Sequence, residues 1–127
     1  MAKLKVAISQ PMRGKTREQI EEERARLVKA IESSGNKYVN TILTEKQQEN
    51  PPMWCLGASL QKMSKCDVVL FMPGCHDARG CKLELEACSA YGIGTVEFNT
   101  DSVFDLDDDK LAMLMEEIVR QANEGGG

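Results

Sequence analysis

Hydrophobic positions along the chain fall into short continuous runs alternating with longer stretches of helical spacing. Leu4 to Ile8, Tyr38 to Leu43, Cys66 to Met72 and Thr95 to Phe98 are the runs. The third, Cys66-Asp67-Val68-Val69-Leu70-Phe71-Met72, is closed by Pro73-Gly74, as for a strand covered on both faces. Between the runs, Thr16 to about Ser34 places Ile20, Leu27, Val28 and Ile31 on one stripe with charge from Glu18 to Lys29 on the other face. Thr16 with Gln19 three residues on predicts a capping box, and Ser33-Ser34-Gly35-Asn36 a stop. A second helix is expected from Met53 to Ser64-Lys65, with Leu56, Leu60 and Met63 buried and Trp54 near its start. A third opens near Gly80. Its stripe of Leu83, Ala87, Ala90 and Tyr91 is expected to face the sheet. Cys81, Leu85 and Cys88 then form a second, weakly apolar face suited to a subunit contact. Asp105, Asp107, Asp108 and Asp109 precede a last helix carrying Leu111, Leu114, Met115, Ile118 and Val119, and acidic residues suit a helix start. Thr44 to Pro52 reads as irregular, and residues 123–127 as a disordered tail.

Strict alternation of strand and helix predicts a three-layer, Rossmann-like or flavodoxin-like α/β fold. Its parallel sheet has four to five strands with helices on both faces. Residues 1–122 form a single domain, a reasonable size for 127 residues.

Composition narrows the partners. A net charge of −4 speaks against a nucleic-acid surface, and no apolar run approaches membrane-spanning length. The opening Met-Ala-Lys-Leu-Lys-Val reads as a strand, not a secretory signal, so a cytoplasmic location is expected. Five cysteines, irregularly spaced and without a Cys-x-x-Cys pair, fit reduced thiols better than a disulfide framework. Cys75, His76 and Cys81 lack the paired spacing of a metal site. No metal and no cofactor is expected.

Candidate chemistry gathers in two loops. In an open α/β sheet, ligands bind outside the carboxyl ends of the strands. Ser9-Gln10-Pro11-Met12-Arg13-Gly14, between the first strand and the first helix, sits there. Backbone N–H groups at the helix start and the charges of Arg13, Lys15 and Arg17 suit a phosphate or a sugar hydroxyl. A surface turn with solvated cations is the other reading. The loop has neither the Walker nor the dinucleotide glycine pattern. The second loop runs from Gly74 through Asp77, Arg79 and Gly80 to Glu84 in the opening turns of the third helix. Glu84 there suits a nucleophile, a general base or a loop-steadying ion pair with Arg79. Asp77 suits an acid/base partner, a ribose-hydroxyl contact or a helix cap.

Three segments resemble the nucleoside 2-deoxyribosyltransferase-like superfamily, in its small phage and bacterial branch. Ile8-Ser9-Gln10-Pro11-Met12-Arg13-Gly14 is similar to that family's I-S-G-P-M-R-G opening. Cys66 to Leu70 with Pro73-Gly74, and Asp77-Ala78-Arg79-Gly80-Cys81-Lys82-Leu83-Glu84 with Ala87 and Tyr91-Gly92-Ile93, are the other two. The resemblance implies a retaining glycosyl transfer with Glu84 as nucleophile on the anomeric carbon and no cofactor. It implies a nucleoside or nucleotide substrate bound by the residues from Ser9 to Gly14 together with Ser59, Gly74, Arg79 and Gly80, in a homo-oligomer. Two positions depart from the pattern. Ser59, eight residues before Asp67, stands where catalytic relatives carry an aspartate. Gln10 stands where the family pattern has glycine. Asp77 is the acid placed to take over part of the missing aspartate's work. The expected function is N-glycosidase or deoxyribosyl transfer on a nucleoside or its 5′-monophosphate. The alternative is a non-catalytic nucleotide or phosphosugar sensor.

Overall fold

The structure, a computed structural model, describes residues 3–12 and 14–125. Four strands, β1 (Lys5–Ser9), β2 (Lys37–Tyr38), β3 (Val68–Phe71) and β4 (Gly94–Glu97), form one parallel sheet in the order β2-β1-β3-β4. The helices are α1 (Arg17–Ser33), α2 (Glu45–Gln48), α3 (Pro52–Met63), α4 (Arg79–Ala90) and α5 (Asp108–Gly125). Short 3₁₀ turns cover Cys75–Asp77 and Asp101–Asp105. The chain leaves β1 for β2 on one side, then returns to place β3 on the other. The crevice between the carboxyl ends of β1 and β3 is therefore the topological switch point of the sheet.

The alternating direction of side chains along the strands sorts the core into two layers. Val6, Ile8, Val68 and Leu70 meet Leu27 and Ile31 of α1 and Leu111, Met115 and Val119 of α5. Ala7, Val69 and Phe71 meet Met63 of α3 and Cys81 and Cys88 of α4. Register pairs Ser9 with Phe71 across the switch point.

Local signals place the helix ends. Thr16 and Gln19 form the expected capping box on α1. The Asp107 carboxylate accepts from the Lys110 N–H at 2.8 Å at the start of α5. Asp108 then reaches Lys29 at 3.2 Å and Arg26 at 3.4 Å, tying α5 to α1.

Four expectations are corrected. Tyr38 to Leu43 is not a full strand: pairing with β1 stops at Tyr38, and the chain turns where Thr41 hydrogen-bonds the Ile8 carbonyl at 3.0 Å. Thr44 to Pro52 is not irregular throughout, since Thr44 and Gln47 form a second capping box that starts α2. The tail is helical as far as Gly125, because α5 continues through it; residues 126–127 lie outside the described residues.

The fourth correction bears on the site. The face of α4 turned to the sheet is Cys81, Glu84 and Cys88, not Leu83 and Tyr91, which are 42% and 84% exposed. The small thiols fit beneath Ala7, Val69 and Phe71, and the bulkier side chains are left outside. The expected second face of the helix is thus its core face.

Close approach also governs β4. A Cβ on Gly94 would lie 2.6 Å from the Ala122 carbonyl oxygen and 3.2 Å from that of Asp67, both backbone atoms. Gly94→Ala must push α5 off the sheet edge. It is expected to cost about 2 kcal/mol, read as a lower urea midpoint with unchanged slope.

Candidate active site

Ser9 is the last residue of β1, and the strand's alternation turns its side chain to the α4 layer, as for Ala7. Its hydroxyl donates to Oε1 of Glu84 at 2.9 Å. Its carbonyl accepts from the Cys75 thiol at 3.4 Å and from the Met72 N–H at 2.9 Å. Strand β1, the turn after β3 and helix α4 therefore converge at the switch point through three side chains.

Glu84 is 8% exposed and is the one buried carboxylate among the described residues. Burial pushes its carboxyl above the ordinary glutamate range, while the Ser9 hydrogen bond and the charge of Arg24 pull the other way. It forms no ion pair among the described residues. Oε2 receives no hydrogen bond from them, and no fully buried side-chain oxygen in them lacks a partner. That oxygen therefore reaches the outside. A carboxylate with one oxygen pinned and the other bare at a sheet's carboxyl edge has the geometry that nucleophilic or general-base chemistry requires.

Of the thiols around it, Cys66, Cys75 and Cys88 stay protonated, whereas the hydrogen bond with Cys75 draws Cys81 below the usual thiol range. Burial raises Cys88 and Cys66 to about 11, assisted by the negative charges of Glu84 and Asp67 respectively. The adjoining Cys81 sulfur and burial hold Cys75 well above the usual thiol range. Among the described residues no group of three or more His, Cys, Asp or Glu side chains is placed to hold a metal.

The remaining predicted residues divide. Gln10, one position on from Ser9, faces the α1 layer. Its amide donates to Glu23 at 2.5 Å and accepts from Arg24 Nε at 2.7 Å, so both ends are taken up by α1. Pro11 touches the second loop: a Cβ on Gly74, whose φ is +91°, would lie 3.3 Å from Pro11 Cγ. Gly74 thus meets two demands of glycine, a left-handed turn and a close neighbour. Met12 is partly exposed, and Gly14 turns at φ +80° to admit α1. Arg13 lies outside the described residues. Asp77 ends the 3₁₀ turn, exposed, and its carboxylate makes no hydrogen bond among the described residues. Asp77 does not cap α4, whose N-cap is Ala78. Arg79 and Gly80 lie exposed in the first turn of α4, and Arg79 makes no ion pair with Glu84. Ser59 is half-buried in α3 without a hydrogen bond among the described residues.

Arg24 escaped the sequence reading. It is 3% exposed, donating to Gln10, to the Tyr38 hydroxyl at 3.2 Å and to Thr41 Oγ1 at 3.2 Å. The signal was its spacing from Ile20, Leu27 and Ile31, which puts it on the buried stripe of α1.

No helix among the described residues is long and apolar enough to cross a membrane. No protein-family model matches the chain, and no curated protein matches it.

Proposed function

We propose that the chain cleaves or transfers the N-glycosidic bond of a nucleoside, deoxynucleoside or 5′-monophosphate, with Glu84 as nucleophile. The observation that carries this reading is the state of Glu84: buried, unpaired with any cation among the described residues, fixed through one oxygen and bare at the other. In the proposed reaction Oε2 attacks the anomeric carbon. The C–N bond breaks, its electron pair leaves with the base, and the base takes a proton from water or a neighbouring acid. Water or a second base then attacks the same carbon and frees the carboxylate, so configuration is retained. Ser9 withholds one oxygen from rotation, which favours a single line of attack. Asp77 and Arg79, exposed at the start of α4, supply an acid and an anion contact at the mouth. The resemblance to the nucleoside 2-deoxyribosyltransferase-like superfamily supports the choice of sugar substrate. The same reading has the chain acting in the cytoplasm, as a homo-oligomer; exposed Met53 and Trp54 on α3 and Leu83 on α4 support the oligomer.

The second reading is a sensor that binds a nucleotide or phosphosugar without breaking it. It is favoured by Ser59, which brings no carboxylate from α3 toward a leaving base. One experiment separates the two. The purified protein is incubated with nucleosides and nucleoside monophosphates, and free base is followed by chromatography. Release that disappears in Glu84→Ala is expected. Absence of release together with a nucleotide-dependent rise in Tm would select the sensor. Neither release nor a Tm shift would remove both readings.

A further inference from the structure

An open groove of about 640 Å³ lies between α1 and the segment from Tyr38 to Ile42. This volume is within the range of small-molecule sites. Its floor is apolar, made by Ala25 and Val28 of α1, Ile42 and the Tyr38 ring. One wall is Arg24. Of its guanidinium nitrogens, Nε is spent on Gln10, and Nη1 on Tyr38 and Thr41. Nη2 makes no hydrogen bond among the described residues. Since none of their fully buried side-chain nitrogens lacks a partner, Nη2 opens outward. A side chain 3% exposed thus lines the groove and keeps unspent donors that are not sealed from solvent.

The other charges of the groove are set differently. Lys29 is tied to Asp108 at 3.2 Å and Glu21 to Arg17 at 3.2 Å. Glu32 stands at the opposite end without an ion pair among the described residues. Carboxylates on both flanks of the Arg24 donors penalise a dianion such as a phosphate monoester. A single negative charge on an apolar body meets the whole groove: donors at Arg24, aliphatic surface beside them, and no second charge to bring against Glu21 and Glu32.

We infer that this groove is a second ligand site, lined by none of the residues that meet at Glu84, for a small monocarboxylate with an apolar body of several carbons. Its carboxylate accepts from Nη2 of Arg24, and its chain lies on Ala25, Val28 and Ile42.

The test uses hexanoate, inorganic phosphate and hexylammonium as probes, titrated into the full chain and followed by amide chemical shifts. Hexanoate is expected to saturate with a dissociation constant at or below ~10 mM, a modest affinity for so few atoms. The shifts should map to residues 24–33 and 38–42, with phosphate and hexylammonium at least ~10-fold weaker. Ala25→Glu, on an exposed helical position, should weaken hexanoate by ~10-fold or more with Tm unchanged. Arg24→Lys should weaken it too, by removing the fork. Hexylammonium binding as well as hexanoate would leave only a greasy surface and overturn the inference. Equal binding of phosphate would overturn the carboxylate assignment. Failure of hexanoate to saturate, or unchanged affinity in Ala25→Glu, would overturn the site itself.

Discussion

Glu84→Gln is expected to abolish the proposed glycosidic-bond cleavage and at the same time to make the protein more stable at neutral and alkaline pH. The first effect follows from chemistry. Glutamine offers no anionic oxygen to the anomeric carbon, and loss of a nucleophile costs at least ~10³-fold in rate. The second follows from burial. The folded protein holds the Glu84 carboxyl above its ordinary value, chiefly by desolvation. The folded state therefore binds that proton more tightly than the unfolded chain. Stability is lost as pH rises through the folded value, because the native state must then house an unpaired charge. Glutamine keeps an acceptor for the Ser9 hydroxyl and never ionises. At pH 8 the variant should be more stable by about 1 kcal/mol, near 3 °C in Tm. The gain should close as pH falls below the ordinary glutamate range, where both side chains are neutral. Thermal melts of the two proteins across pH 4 to 8 measure it directly. A variant that is less stable at pH 8 than at pH 4, relative to wild type, would mean that Glu84 is a stabilising charge, and the reading of Glu84 as a buried, unpaired nucleophile would fall.

The same residue marks where the sequence was readable and where it was not. Its position was legible: Pro-Gly ends the central strand, the helix opens a few residues later, and a glutamate in its first turns must lie near the crevice. Its orientation was not. Ranking α4 positions by size puts Leu83 and Tyr91 inward, whereas the sheet accepts Cys81 and Cys88 and exposes the larger pair. Cysteine at i and i+7 around Glu84 was the available signal, since free cysteine is among the most buried residue types. Strand alternation would have gone further. With Val6 and Ile8 on the α1 side, Ala7 and Ser9 must face α4, and Gln10 must return to α1. That rule alone separates the Ser9 hydroxyl, which reaches Glu84, from the Gln10 amide, which does not. The short β2 was beyond pattern reading, because an apolar stretch from Tyr38 to Leu43 looks the same whether its backbone pairs with β1 or turns away. The buried arginine was hidden by its company, a helix face dense in Glu, Arg and Lys.

Arg24→Met is expected to lower stability by about 3 kcal/mol, a larger loss than that of Gly94→Ala. Methionine replaces the aliphatic stem, so packing against α1's neighbours is largely kept, and the cost is polar. Gln10 is 5% exposed, and without the 2.7 Å bond from Nε its carbonyl oxygen has no donor. An orphaned buried acceptor costs ~1–3 kcal/mol. The two 3.2 Å bonds to Tyr38 and Thr41 add a smaller amount, because those hydroxyls retain Asn40 and the Ile8 carbonyl as acceptors. Against this stands the relief of a buried cation. That relief is partial, since one guanidinium nitrogen already reaches the outside. The losses therefore win, and urea unfolding should show a lower midpoint with an unchanged slope. A second readout distinguishes this from simple damage to the core. Arg24's charge lowers the Glu84 carboxyl, so its removal drives that carboxyl further up. The stabilising effect of Glu84→Gln at pH 8 should then be larger in the Arg24→Met background than in wild type. Strict additivity of the two substitutions would show that the guanidinium supports Gln10 and the edge of the sheet but sends no field to the carboxylate at the switch point.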